Sequence, residues 1–217
     1  MVDISNKYTI PVWKPQGISS FDVIRKFKFH NPGCKYGHAG TLDPFAEGIL
    51  IVCKEEGLKE IDYFLKLKKE YIGVIKLGVY MDTLDCMGMP VYYKNVPKLS
   101  ISKINKCLSE FKGEIEQRPP AFSALRVRGV RLYKLARKGI FIHKKPRKVT
   151  IHSLKLLDYN KNDEIQFKVV CSKGTYIRSL ARDIAVYLNT YGYLQSLKRS
   201  KIGNYDITNS THYSDIS

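Results

Sequence analysis

HNPGCKYGHAGTLDPFAEGILIVC, residues 30–53, contains both textures from which the fold class is read. Gly33, Gly37 and Gly40 with Pro32 and Pro44 break any regular element, so the first part reads as a loop, while Gly48 to Cys53 is a short apolar run of the buried-strand type. A loop that feeds a buried strand is a good position for chemistry. Upstream, Tyr8 to Trp13 reads as a strand, and Ser19 or Ser20 caps a helix through about Phe29, with Phe21, Ile24 and Phe27 at helical spacing. Downstream, Leu58, Ile61 and Leu65 recur with helical period, and Tyr71, Gly73, Ile75 and Leu77 alternate with Ile72, Val74 and Lys76 as a strand does. Ile101, Ile104, Leu108 and Phe111 mark a further helix with Gly113 at its C-cap. Strands are expected near Val149 to Tyr159 and Ile165 to Cys171, and residues 193–207 read as strand-like or irregular. The plainest helix runs from Thr175 to about Leu188, with Ile177, Leu180, Ala181, Ile184 and Leu188 on one stripe. Strands and helices mix without strict βαβ alternation, which predicts α+β with a largely antiparallel sheet. No repeat and no linker divides residues 1–217, so one domain is expected.

The chain of 217 residues is 44% hydrophobic and 26% charged, which excludes a wholly disordered, collagen-like or membrane-spanning protein. Lys and Arg total 37 against 20 Asp and Glu, and the resulting +17 points to a polyanionic partner. Five cysteines with no CxxC pair suggest neither a disulfide framework nor a cysteine zinc site, which fits a reducing cytosol. The opening MVDISNKYTIPVWKP lacks the apolar core of a secretory signal, and no run approaches the ~18 apolar residues of a membrane span, so a cytoplasmic location is expected.

The positive charge is concentrated. From Gln117 to Leu157 there is no acid, yet the segment carries 12 of the 37 basic residues, among them Arg126, Arg128 and Lys134. Phe122, Leu125, Leu132, Tyr133, Leu135 and Phe141 are interleaved, which marks a folded basic surface. Arg with aromatic groups suits phosphates and exposed bases, as in RNA loops.

No nucleotide-binding, zinc-protease or serine-hydrolase signature occurs, so the chemistry rests on isolated polar residues. Asp43 precedes Pro44 in the glycine-rich loop, either as a turn former or as an acid held amid basic surface. Arg178 falls in the first turn of its helix, where the dipole favours anions, so it either reaches solvent or pairs with a carboxylate or phosphate. Tyr71 is either core or a stacking platform. His38, five residues from Asp43, sets no triad or metal geometry, and the other histidines are scattered.

YGHAGTLDPFAEGIL (36–50), KEYIGVIKLGVYMDTLDCMG (69–88), QRPPAFSALRVRGVRLYKLARKG (117–139), CSKGTYIRSLARDI (171–184) and YLQSLKRSKIG (193–203), with KPQGISSFDVIRK (14–26), resemble the TruB family of bacterial tRNA pseudouridine synthases. The blocks occur in family order and cover most of the chain. The resemblance implies the pseudouridine synthase fold, a mixed and mainly antiparallel sheet with flanking helices and a central catalytic cleft. It implies as substrate the uridine at position 55 in the T loop of tRNA. By the same resemblance Asp43 is the catalytic aspartate, Arg178 the arginine paired with it, and Tyr71 the tyrosine against the target base. Tyr176 lies beside the uridine pocket, Leu197 forms its apolar wall, and His38 contacts the loop from which the base is extruded. Lys14 and Pro15 match a structural pair near the cleft.

Converting uridine to pseudouridine breaks the N1–C1′ bond and joins C5 to C1′, with no net redox change, so neither cofactor nor metal is expected. The base must leave its stack, and contacts along 118–148 offset that cost of a few kcal/mol. A monomer acting on the T arm without an obligatory protein partner or a membrane is the expectation. The family's additional RNA-binding domain of the PUA type is expected to be absent or much reduced. A noncatalytic RNA-binding protein and a guide-RNA-dependent synthase subunit are the alternatives.

Overall fold

The computed structural model describes residues 8–127, 129–142, 144–160 and 163–216. In chain order the elements begin with β1 (Thr9–Lys14), α1 (Ser20–His30), β2 (Tyr36–His38), β3 (Glu47–Lys54), α2 (Ile61–Lys66) and β4 (Lys69–Leu77). There follow β5 (Val79–Met81), β6 (Pro90–Tyr93), α3 (Ile101–Glu110), β7 (Gly113–Gln117), β8 (Arg126–Val127), β9 (Val130–Arg131) and α4 (Leu132–Ala136). The remainder is β10 (Arg147–Asn160), β11 (Glu164–Cys171), α5 (Ile177–Tyr187), β12 (Gly192–Ile202) and β13 (Thr211–His212). Two compact units result, one of residues up to Ile72 together with those from Leu197 on, the other of Gly73–Ser196. The chain passes from one to the other inside β4 and β12, which is why no linker composition marks the change.

In the first unit the strand order is β13–β1–β3–β12, with β2 on β3. β1 and β3 are antiparallel, and β3 runs parallel to β12 through Lys198 opposite Glu47 and Arg199 opposite Gly48. β3 is buried on both faces. Leu50 and Val52 meet Val23, Ile24 and Phe27 of α1, while Ile49, Ile51 and Cys53 meet Phe64 and Tyr205. Burial on both sides explains why GILIVC is continuously apolar where a half-exposed strand alternates. Gly48 has φ +122°, and a Cβ there would stand 2.2 Å from the Arg199 carbonyl, so only glycine permits this approach of β3 to β12. Ser19 opens α1 with a capping box, its hydroxyl accepting from Asp22 N while the Asp22 carboxylate accepts from Ser19 N.

In the second unit the order is β4–β11–β10–β7, with β10 antiparallel to both neighbours. Ile165, Phe167, Val169 and Cys171 of β11 turn inward, as its alternation predicts. Ile177, Leu180, Ala181 and Ile184 form the buried stripe of α5, which meets α3 where the Cys107 thiol approaches the Ile184 carbonyl. β5–β6 and β8–β9 are separate hairpins.

The fold is α+β with a mixed, mostly antiparallel sheet, as the sequence predicts. Four local expectations change. Residues 36–38, expected as loop, pair with β3 as β2. Ile101, assigned to the inner stripe of α3, is 62% exposed, because Ser100 caps the helix and puts Ile101 in its open first turn. Gly113 opens β7, and Phe111 takes the C-cap. α5 begins at Ile177 and not Thr175, since the backbone of Tyr176 is held extended by Gln117.

Candidate active site

The first unit carries Asp43, Tyr71, Leu197 and His38. Asp43 is half-buried at the start of a turn in which Ala46 N donates to its carbonyl at 3.1 Å, so the turn-forming reading of Asp-Pro is correct for its backbone. The loop around it is tied on every side. Ser20 Oγ donates to Leu42 O at 2.9 Å and accepts from Leu42 N at 2.8 Å, and Gly17 N donates to Pro44 O at 2.8 Å. Buried Arg199 donates through Nε to Ile49 O at 2.7 Å, through Nη2 to Gly40 O at 3.1 Å and through Nη1 to Thr41 O at 3.4 Å. Lys14, wholly buried, donates to the carbonyls of Pro15 at 2.7 Å, Ile18 at 2.9 Å and Ala46 at 2.6 Å.

Burial, seconded by the Arg199 charge, lowers the Lys14 ammonium to a pKa of about 8, against the opposing pull of the Asp43, Asp22 and Glu47 carboxylates. Two buried cations therefore set the shape of the loop and the field at its acid. Tyr71 on β4 and Leu197 on β12 are both buried, and half-buried His38 ends β2 opposite Val52.

The second unit carries Arg178, Tyr176 and the basic surface. Arg178, 6% exposed, places Nη1 at 3.1 Å from Asp85 Oδ2 and at 2.9 Å from Thr83 O, and donates from Nη2 to Phe122 O at 2.9 Å. Of the readings of Arg178, solvent, carboxylate or phosphate, the structure shows a carboxylate, that of Asp85, where the resemblance pairs it with Asp43. Asp85 is fixed in turn, its Oδ1 accepting from Thr83 Oγ1 at 2.6 Å and from Met87 N at 3.0 Å. Half-buried Tyr176 is held at both backbone polar atoms by Gln117, and Ser179 Oγ donates to Arg118 O at 2.9 Å, which seats residues 117–118 on the start of α5.

Arg126 lies exposed on β8 directly opposite Arg131 of β9, a like-charge pair that a polyanion would relieve. Lys134 is exposed on α4, Arg137 lies over the Tyr133 ring, and Phe122 packs edge-on to Phe141. Arg128 lies outside the described residues.

Sequence reasoning missed Asp85, Gln117 and Arg199. Asp85 looks like a loop acid, and only the burial of Arg178 reveals its work. Arg199 had a legible signal, because it takes an inward period-2 position two residues after Leu197 on a strand. Among the described residues no three His, Cys, Asp or Glu side chains converge as metal ligands do, and no helix is long and apolar enough to cross a membrane.

The family described as "TruB family pseudouridylate synthase (N terminal domain)" matches residues 25–177. The tRNA pseudouridine synthase B of Clostridium tetani is 43% identical over 207 residues, covering 95% of this chain and 71% of that protein. That of Clostridium kluyveri is 47% identical over 197 residues, 91% of this chain and 68% of the other. A crystal structure of a Cbf5–Nop10–Gar1 complex contains a chain with TM-score 0.74 and 26% identity, covering 96% of this chain and 53% of its own. The fold alone is shared with a chain of an H/ACA ribonucleoprotein bound to a substrate RNA, at TM-score 0.70 and 24% identity. The present chain thus spans roughly seven tenths of those two relatives, 71% and 68%, and about half, 53%, of the first solved chain.

Proposed function

Because the chain belongs to the TruB family of pseudouridylate synthases, we propose that it isomerises the uridine at position 55 in the T loop of tRNA to pseudouridine. The observation that carries this reading is Asp43, an acid in a loop whose conformation is dictated by Ser20, Lys14 and Arg199. The backbone that carries this acid is ordered before substrate arrives, so little loop ordering is left to be done in the transition state.

Asp43 supplies the carboxylate that starts cleavage of the N1–C1′ bond. Arg178 is the cation assigned to orient that carboxylate, and Asp85 acts as its positioning residue. Tyr71 stacks on the extruded base, Leu197 keeps water from the detached base and sugar, and Tyr176 lies beside the base. His38 touches the loop the base leaves. Arg126, Arg128 and Lys134 neutralise phosphates of the T arm. The detached base turns, C5 joins C1′, the C5 proton goes to solvent and N1 takes up a proton from solvent. Atoms and electrons balance without an oxidant, a reductant or a metal. The chain acts as a monomer in the cytoplasm.

The test is tritium release from an unmodified tRNA transcript labelled at uridine C5, with the purified chain alone. One equivalent released per tRNA is expected, and none from a transcript with cytidine at position 55. Release from the cytidine transcript equal to that from the uridine transcript, or no release from either, overturns the reading.

A further inference from the structure

The strongest exposed apolar surface of the second unit is the β5–β6 hairpin. Met87, Met89, Tyr92 and Tyr93 are 70, 71, 59 and 73% exposed, and Val91 adds a fifth apolar side chain within seven residues. From Leu77 to Tyr93 there is no Lys, Arg or His, in a chain with 37 Lys and Arg. Large exposed apolar patches mark interaction surfaces. This one is rigid. Asp82 Oδ1 accepts from Met89 N at 2.8 Å, Asp85 Oδ1 accepts from Met87 N at 3.0 Å, and the rings of Tyr80, Tyr92 and Tyr191 pack with centroids 6.0 to 6.2 Å apart. A Cβ on Gly88 would stand 2.3 Å from Asp82 Oδ1 and Thr83 Oγ1, so a larger residue there would displace both side chains from the turn. The same turn holds Arg178 through Asp85 and Thr83.

We propose that this hairpin is a nucleobase platform that receives the bases flanking the extruded uridine. The proposal rests on the function given above. Extrusion of one base leaves its neighbours with unstacked faces, and a fixed apolar plate linked by one carboxylate to the site arginine is placed to cover them. The missing cations fit this division of labour. A surface built for phosphates needs Lys and Arg, which β8, β9 and α4 supply, whereas a surface for base faces needs Met and Tyr. Asp85 joins the two events, because its Oδ1 orders Met87 while its Oδ2 orders Arg178.

The experiment compares binding of an unmodified tRNA transcript by the wild-type chain and by the triple variant Met87→Ser, Met89→Ser, Tyr93→Ser across a salt titration. These side chains are exposed, so the melting temperature is expected to hold. Stacking releases no counterions, so the Kd should rise about tenfold by the same factor at each salt concentration, leaving the log–log slope unchanged. Met87→Leu with Met89→Leu keeps the apolar plate and should bind like wild type, which also separates removal of the plate from unfolding. A triple-variant Kd within about twofold of wild type at all salts overturns the proposal. So does sedimentation showing a wild-type dimer that the triple variant loses while RNA affinity stays intact, because the hairpin then serves a second copy. Failure of the tritium assay with wild-type protein would count against the function, while the binding comparison would still decide whether the hairpin contacts RNA.

Discussion

The two units bury positive charge in different ways. In the first, Lys14, Lys69 and Arg199 are almost wholly buried, and each donates to three backbone carbonyls: those of Pro15, Ile18 and Ala46, those of Phe64, Leu65 and Leu67, and those of Ile49, Gly40 and Thr41. In the second, Arg178 meets the buried carboxylate of Asp85 as well as two carbonyls. Carbonyl dipoles solvate a cation while leaving its charge in place, so the first unit keeps a positive field around the Asp43 loop. An ion pair cancels most of the charge and fixes direction instead. The first arrangement suits a loop that must keep one shape around its acid, the second a fork that must point one way. A third class of cation, exposed on β8 and α4, is bound by neither device.

The largest expected effect tests whether the first arrangement serves Asp43. Asp43→Asn keeps the side chain's size and leaves the bonds of Ser20, Lys14 and Arg199 to the loop in place. Turnover by tritium release should fall by more than about a hundredfold, a loss above ~2.7 kcal/mol of transition-state stabilisation, while the melting temperature changes little. Transcript affinity should stay equal or improve, since removing an anion lessens the repulsion that a polyanion meets. A smaller loss of turnover would leave Asp43 only its backbone turn.

Next comes the ion pair. Asp85→Ala strands a buried guanidinium, which costs about 3 to 5 kcal/mol and should appear as a lower denaturant midpoint. Asp85→Asn keeps acceptors for Thr83 and Met87, so it should be milder in stability yet still slow turnover, because Arg178 loses its directing charge. Turnover by Asp85→Asn equal to wild type would reduce the pair to a structural bond and remove the contrast between the units.

What the sequence disclosed follows the same division. Strong periodic signals were legible, such as the doubly buried run of β3 and the stripe of α5, because burial acts on every second or every third to fourth residue. Arg178 was legible as a cation needing an anion, since the helix dipole makes its position unfavourable without one. Its partner was not, because Asp85 lies 93 residues away in a turn without periodicity. The carbonyl-bound cations were hidden for a different reason: backbone acceptors leave no residue type to recognise. The division into two units was invisible because both crossings fall inside regular strands.

Lys14 gives a pH signature. Its native pKa of about 8 lies below the 10.5 of an ordinary lysine, so below pH 8 both folded and unfolded chains carry the proton and the desolvation cost is fully present. Between 8 and 10.5 the unfolded chain still binds the proton that the folded chain has released, and stability gained from this group rises with pH. Lys14→Met cannot titrate there. The stability difference between wild type and Lys14→Met should therefore shift toward wild type by on the order of 3 kcal/mol across that window, read from urea midpoints at each pH. A difference that stays flat would mean that Lys14 is not held charged against burial, and the positive field assigned to the first unit would lose one of its sources.

The smallest effect concerns the exposed cations. Arg126 faces Arg131 across the β8–β9 ladder, and Lys134 stands on the adjoining α4, so replacing Arg126 and Lys134 by Ala removes like-charge repulsion without opening the core. Stability should stay within about 0.5 kcal/mol of wild type. Each phosphate that is no longer neutralised should take about 0.7 to 0.9 from the slope of log affinity against log salt, so two of them lower it by about 1.4 to 1.8. Affinity should fall most at low salt and converge with wild type as salt rises, the opposite of the constant factor expected for the hairpin platform. Filter binding of one transcript over a salt series distinguishes the patterns. If the double variant keeps the wild-type slope, the phosphates are gripped elsewhere, and the basic surface of β8 and α4 is solvated charge whose like-sign pairs serve no ligand.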